Sequence, residues 1–131
     1  MKNIFIGLLV AMLCLSACSS NDSNDNIKRL GTKEFSKDVW ANASQEERGK
    51  MLFSLFQKHD VTKMQVEDIR LLLGLSTAYY EYDEFPAYLI GPESVKSDYG
   101  NGYLLAFPFD RETGKIIKYV LIPDTKPDSA K

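Results

Sequence analysis

One histidine and two cysteines in a chain of 131 residues are a thin supply of metal-binding and nucleophilic side chains. His59 alone cannot build a histidine-rich metal centre, and Cys14 with Cys18 falls short of a four-cysteine cage, so no metal site and no cofactor is expected. Charge of one sign is missing as well. Sixteen basic residues against 18 acidic ones give a formal net charge of −2, whereas a nucleic-acid partner calls for a basic patch. No uncharged run reaches the roughly 20 apolar residues that a membrane-spanning helix needs. The hydrolase signatures Ser-x-x-Lys, Gly-x-Ser-x-Gly and His-Glu-x-x-His are all absent. What remains is 44% hydrophobic and 26% charged, which excludes a disordered polymer and leaves room for one domain.

The N-terminus is the most informative segment. Met1-Lys2-Asn3 is a short positive start, and Ile4 to Leu13 follows without a charge, as in an export signal. Leu15-Ser16-Ala17-Cys18 closes the run and resembles the bacterial lipobox, which implies cleavage before Cys18 and acylation (palmitate included) of its thiol. Residues 1–17 are then a lipoprotein signal peptide, and Cys14 leaves with it. The mature chain keeps no free thiol, which excludes both a disulfide framework and a cysteine nucleophile. Each buried CH₂ of an acyl chain contributes about 0.8 kcal/mol, so two or more chains anchor the protein stably to a membrane surface. By resemblance to Gram-negative sorting, Ser19 after the cysteine implies the outer membrane facing the periplasm, or the cell membrane for a Gram-positive source.

Ser19 to Asn26 carries no apolar side chain, and residues 18–35 read as lipidated cysteine and flexible tether. A single α+β domain is expected over 36–123, followed by a loose tail at 124–131. Ser44-Gln45-Glu46-Glu47 has the form of a capping box, and Met51, Leu52, Leu55 and Phe56 make one apolar stripe, which predicts a helix from Gln45 to Lys58. Val66, Ile69, Leu72 and Leu73 predict a second helix ending at Gly74, with Thr62 or Gln65 at its start. Beyond Gly74 the composition turns to Tyr, Phe, Pro and Gly. Strands are expected at Pro86–Ile90, Gly102–Phe109 and Lys115–Ile122, the last two joined by a turn at Asp110–Gly114. The fold is thus two N-terminal helices on one face of a three-stranded antiparallel sheet (ααβββ).

That order behind a lipobox resembles the small outer-membrane lipoproteins of the SmpA/OmlA (BamE) family, whose domain is also similar to one repeat of β-lactamase inhibitor protein. The carrying residues are Lys63 to Gly74, close to the family's Gly-Met-Thr-x-x-x-Val-x-x-Leu-Leu-Gly pattern, with Tyr88 to Gly91 as aromatic first strand and Leu104 to Tyr119 as terminal hairpin. Lys63, Gln65 and Ser76 stand where the family has Gly, Thr and Pro. No partner-contacting residue carries over.

Candidate chemistry is sparse. His59 sits at a predicted helix C-terminus, where a cation is favoured, and Asp60 is merely its neighbour in sequence. Glu81, Asp83 and Glu84 form an acidic patch without the Gly-containing loop of a calcium site, and read as a solvated strand end. The clearer signal is apolar. Leu104 and Ala106 make the second face of their strand as apolar as the first, and Ile116, Val120 and Ile122 do the same for the returning strand. Two helices cover only one face of such a sheet, so Leu104, Ile116, Val120 and Ile122, with Tyr79, Tyr80 and Tyr82, are expected to form a partner surface. The function expected is a non-enzymatic, lipid-anchored protein–protein interaction module, accessory to outer-membrane or envelope assembly. The alternatives are an inhibitor or immunity lipoprotein that blocks an enzyme or toxin, and a small envelope hydrolase using Glu81 and Asp83.

Overall fold

The computed structural model describes residues 21–123. The signal segment, Cys18 and the tail at 124–131 lie outside the described residues. Among these, the order is α1 (Asn21–Lys28), α2 (Lys37–Asn42), α3 (Gln45–Lys50), α4 (Leu52–Lys58), a 3-10 turn (Val61–Lys63), α5 (Val66–Leu73), and strands β1 (Ala87–Ile90), β2 (Lys96–Ser97), β3 (Gly100–Asn101), β4 (Tyr103–Ala106) and β5 (Val120–Ile122). The class is α+β. A three-stranded antiparallel sheet in the order β1-β4-β5 stands beside a small β2-β3 hairpin.

Each helix has a local cause. Ser36 accepts from the Val39 N–H and Ser44 from the Glu47 N–H, so α2 and α3 both start on serine caps. The helix expected over Gln45–Lys58 is present but bent at Met51, which closes α3 and opens α4. Gly49 on α3 meets the end of β1. A Cβ there would lie 2.7 Å from the Gly91 Cα, and the contact is fixed by the Gly91 N–H donating to Gln45 O at 2.9 Å. Helix α5 begins at the shorter of the two registers: Asp68 Oδ2 accepts from the Gln65 N–H at 3.0 Å, while Thr62 belongs to the preceding 3-10 turn capped by Asp60. It ends at Gly74, whose φ of +82° suits glycine.

Between the helices and the sheet lies the main core. Trp40, Met51, Leu52, Leu55, Ile69 and Leu73 bury themselves against Tyr88, Ile90, Leu105, Phe107 and Ile116. Trp40 is fully buried, and its indole Nε1–H donates to Leu73 O at 3.0 Å, which joins α2 to the end of α5.

The described residues add α1, α2 and the β2-β3 hairpin to the expected ααβββ order, and two of the differences have physical reasons. Part of the expected tether is helical: α1 begins at Asn21, and Ile27 is buried, 4% exposed, in the main core beside α4. One apolar side chain near the end of a polar segment docks that segment. The second difference is in the returning strand. Phe109 lies opposite Ile116 and Ala106 opposite Val120, so the returning strand carries one residue more than its partner. This bulge reverses the alternation. Ile116 therefore faces the main core, Ile117 points out at 58% exposed, and Tyr119 and Leu121 return to the core side.

Candidate functional site

The connection from α5 to β1 decides what the second sheet face looks like. Ser76 Oγ accepts the Ala87 N–H and Thr77 Oγ1 the Leu89 N–H, each at 3.0 Å, while the Thr77 and Ala78 N–H groups both donate to Ala87 O. These contacts occupy the outer edge of β1, a position where unpaired backbone groups invite a foreign strand. Ala78 and Tyr80 then pack over Ala87, Leu104 and Ala106, with Val120 and Ile122 at the margin. Small side chains at Ala87 and Ala106 leave the space in which that cover lies.

The second face is therefore not an open apolar sheet. Leu104 is fully buried beneath this cover, and Ile116 is buried in the opposite core because of the bulge, so neither lines a surface. Tyr80, Val120 and Ile122 are half-buried. Of the seven residues expected there, Tyr79 and Tyr82 are the exposed ones, at 53% and 48%.

These tyrosines are held by an unusual turn. The Tyr82 N–H donates to Tyr80 O at 2.6 Å across Glu81, whose φ of 58° is a conformation that few non-glycine residues adopt. The Tyr79 hydroxyl donates to Glu81 O and steadies the turn. Tyr80 stacks obliquely on Tyr99 of the β2-β3 hairpin, with ring centroids 5.9 Å apart, and Tyr99 is itself partly exposed. Tyr82 meets Phe85 edge-on and carries the Arg111 guanidinium 4.1 Å above its ring, while Arg111 also pairs with Glu84 at 3.1 Å. Burial, aided by the neighbouring Glu81 carboxylate, raises the Tyr80 phenol above its ordinary pKa.

Helices α2 and α5 frame a second apolar feature, a shallow groove of about 400 Å³ with Trp40, Ala41, Arg48 and Leu72 among its lining residues. Leu71 and Leu75 stand beside it, 67% and 91% exposed. The sequence carried a signal for them: Leu71, Leu72 and Leu73 are consecutive, and at 100° per residue they cannot share one face. Tyr99 was also missed, because its contact with Tyr80 arises only when the hairpin folds back.

The remaining candidates are structural. His59 ends α4, its backbone N–H bonded to Leu55 O and its ring edge-on to Phe35. Asp60 gives its carboxylate to the Thr62 N–H and hydroxyl rather than to an imidazole. Glu84 is taken by Arg111, and among the described residues no three His, Cys, Asp or Glu side chains are grouped as a metal site. No helix among them is long and apolar enough to cross a membrane. No protein-family model, curated protein or solved structure matches the chain.

Proposed function

We propose that this chain is a lipid-anchored envelope protein that binds another protein through the tyrosine side of its sheet and catalyses nothing. The observation that carries the reading is the aromatic cluster: Tyr79, Tyr82 and Tyr99 are each more than a third exposed, yet their backbone is fixed by the Glu81 turn and the Tyr80 stack. Tyrosine offers a large amphipathic area with few rotatable bonds, and a surface ordered before encounter loses less entropy on binding. The lipobox at Cys18 supports anchoring at the outer membrane, periplasmic side. The lipobox and the segment Lys63 to Gly74 resemble the SmpA/OmlA (BamE) lipoproteins. That resemblance supports an accessory place in envelope assembly.

The test is capture from solubilised envelopes by the tagged lipoprotein, wild type against Tyr79→Ala/Tyr82→Ala. The double variant keeps its fold, because both side chains are about half exposed, and loses the partner that the wild type retains. Equal capture by both proteins contradicts the reading. Inhibition of a captured enzyme at one-to-one stoichiometry converts it to the inhibitor class, and turnover lost in Glu81→Gln converts it to the hydrolase class.

A further inference from the structure

The groove between α2 and α5 encloses about 400 Å³, within the size range of small-molecule sites. Buried Trp40 and half-buried Leu72 line it, and Leu71 and Leu75 stand in water at its side. Leucines left exposed next to an apolar groove form a patch that a ligand can cover. Both charged residues of the lining are cations, Lys37 and Arg48, and neither pairs with a carboxylate among the described residues. The Arg48 Nε–H donates to Trp40 O at 3.0 Å with the guanidinium 4.8 Å from the Trp40 ring centroid, and the two terminal NH₂ groups have no partner among the described residues. Partial burial holds this guanidinium below its ordinary pKa, so an incoming anion compensates a desolvated charge. The acidic groups of the surrounding helices are engaged elsewhere. Glu47 pairs with Lys33 and Lys50, Glu67 with Arg70, and Asp68 accepts the Gln65 N–H. Asp38 lines a separate depression with Val39 and Asn42, and Glu46 sits about 200° round α3 from Arg48.

We infer that this groove binds an aliphatic carboxylate, a long-chain fatty acid, with its chain on the leucines and its carboxylate at Lys37 and Arg48. The chemistry of the lining selects that class. A peptide brings an amide at every residue, and leucine side chains offer its N–H and C=O groups nothing to bond. A fatty acid brings only methylenes and one anion. Each CH₂ taken out of water tightens binding by about fourfold, and a carboxylate beside two cations is held by charge-assisted hydrogen bonds. None of Tyr79, Tyr82 and Tyr99 lines the groove, so fatty-acid binding here stands independently of protein binding there.

Trp40 is the only tryptophan of the chain, and its fluorescence reports on the groove directly. The experiment reads that signal in the full chain reconstituted into phosphatidylcholine vesicles. The titrants, in mildly alkaline buffer, are ω-bromododecanoate and ω-bromododecanol, whose bromine quenches on close approach. The expected result is saturable quenching, with the acid binding about tenfold tighter than the alcohol, the worth of one hydrogen bond to a charged group. Unbrominated dodecanoate restores the signal. Lys37→Gln and Leu75→Glu, both at exposed side chains, keep the melting temperature and each weaken binding severalfold. Quenching that grows without saturation, that is equal for acid and alcohol, or that survives either substitution overturns the inference. Recovery of the signal by an apolar peptide with a free C-terminal carboxylate, at lower concentration than dodecanoate, assigns the groove to a protein ligand and overturns it too.

Discussion

At the scale of single residues, Gly49 and Tyr88 hold positions that nothing else in the alphabet fills equally well. Gly49→Ala gains about 1 kcal/mol of helix propensity. It also drives a Cβ to within 2.8 Å of two backbone atoms of Gly91, where no side chain can rotate away. Overpacking of that kind costs about 1 to 3 kcal/mol, so the net effect in a urea melt is destabilisation, against the sign that propensity alone gives. Tyr88 is buried, its hydroxyl donates to Gly74 O at 2.8 Å, and burial pushes its pKa up to about 12 despite the opposing charge of Arg48. The folded state therefore binds the phenolic proton more tightly than the unfolded chain, whose tyrosines titrate near 10. The resulting stability is fully present below pH 10 and is lost as pH rises through 12. Alkaline melts of wild type fall across that window, whereas Tyr88→Phe, although weaker by about 1 kcal/mol for the lost hydrogen bond, falls less.

Secondary-structure elements show where local chemistry was enough and where it was not. Helix α5 was legible because stripe and terminal glycine agree on one segment, although two caps competed for its start, and the turn at Asp110–Gly114 because Asp110 accepts the Glu112 N–H and Gly114 takes a φ of +79°. Helix α1 was not legible: a run of Asn, Asp and Ser has no periodic stripe, and only the packing of Ile27 fixes it. Helix α2 had its Ser36 cap in plain view but just one buried side chain, Trp40, to mark a face. The bulge was hidden for another reason. An extra residue between Ile116 and Tyr119 leaves both faces of the strand apolar on paper, and the same pattern fits an exposed binding sheet, which is why Ile116 reads as a surface residue; Leu104 reads so because nothing in the sequence announces the cover of Ala78 and Tyr80. The adjacent isoleucines separate the two accounts. Ile116→Ala is expected to cost about 2 to 5 kcal/mol and Ile117→Ala less than about 0.5, measured by chemical denaturation. Loss of about 2 to 5 kcal/mol in Ile27→Ala checks the docking of α1 in the same way.

At the scale of the whole molecule, the chain makes three layers: helices, sheet, and an ordered cover that carries the exposed tyrosines. The cover replaces the open sheet expected from the sequence; of the seven residues expected at the binding surface it leaves Tyr79 and Tyr82 exposed, and the proposed surface gains Tyr99. It also gives the domain an aromatic side on the sheet face away from the main core. A photo-crosslinking residue placed singly at Tyr79, Tyr82 or Lys118 in living cells tests that assignment most directly. Binding through the cover predicts a discrete protein adduct from positions 79 and 82 and a much weaker one from 118. Adducts of equal strength from all three positions, or none from 79 and 82, contradict it.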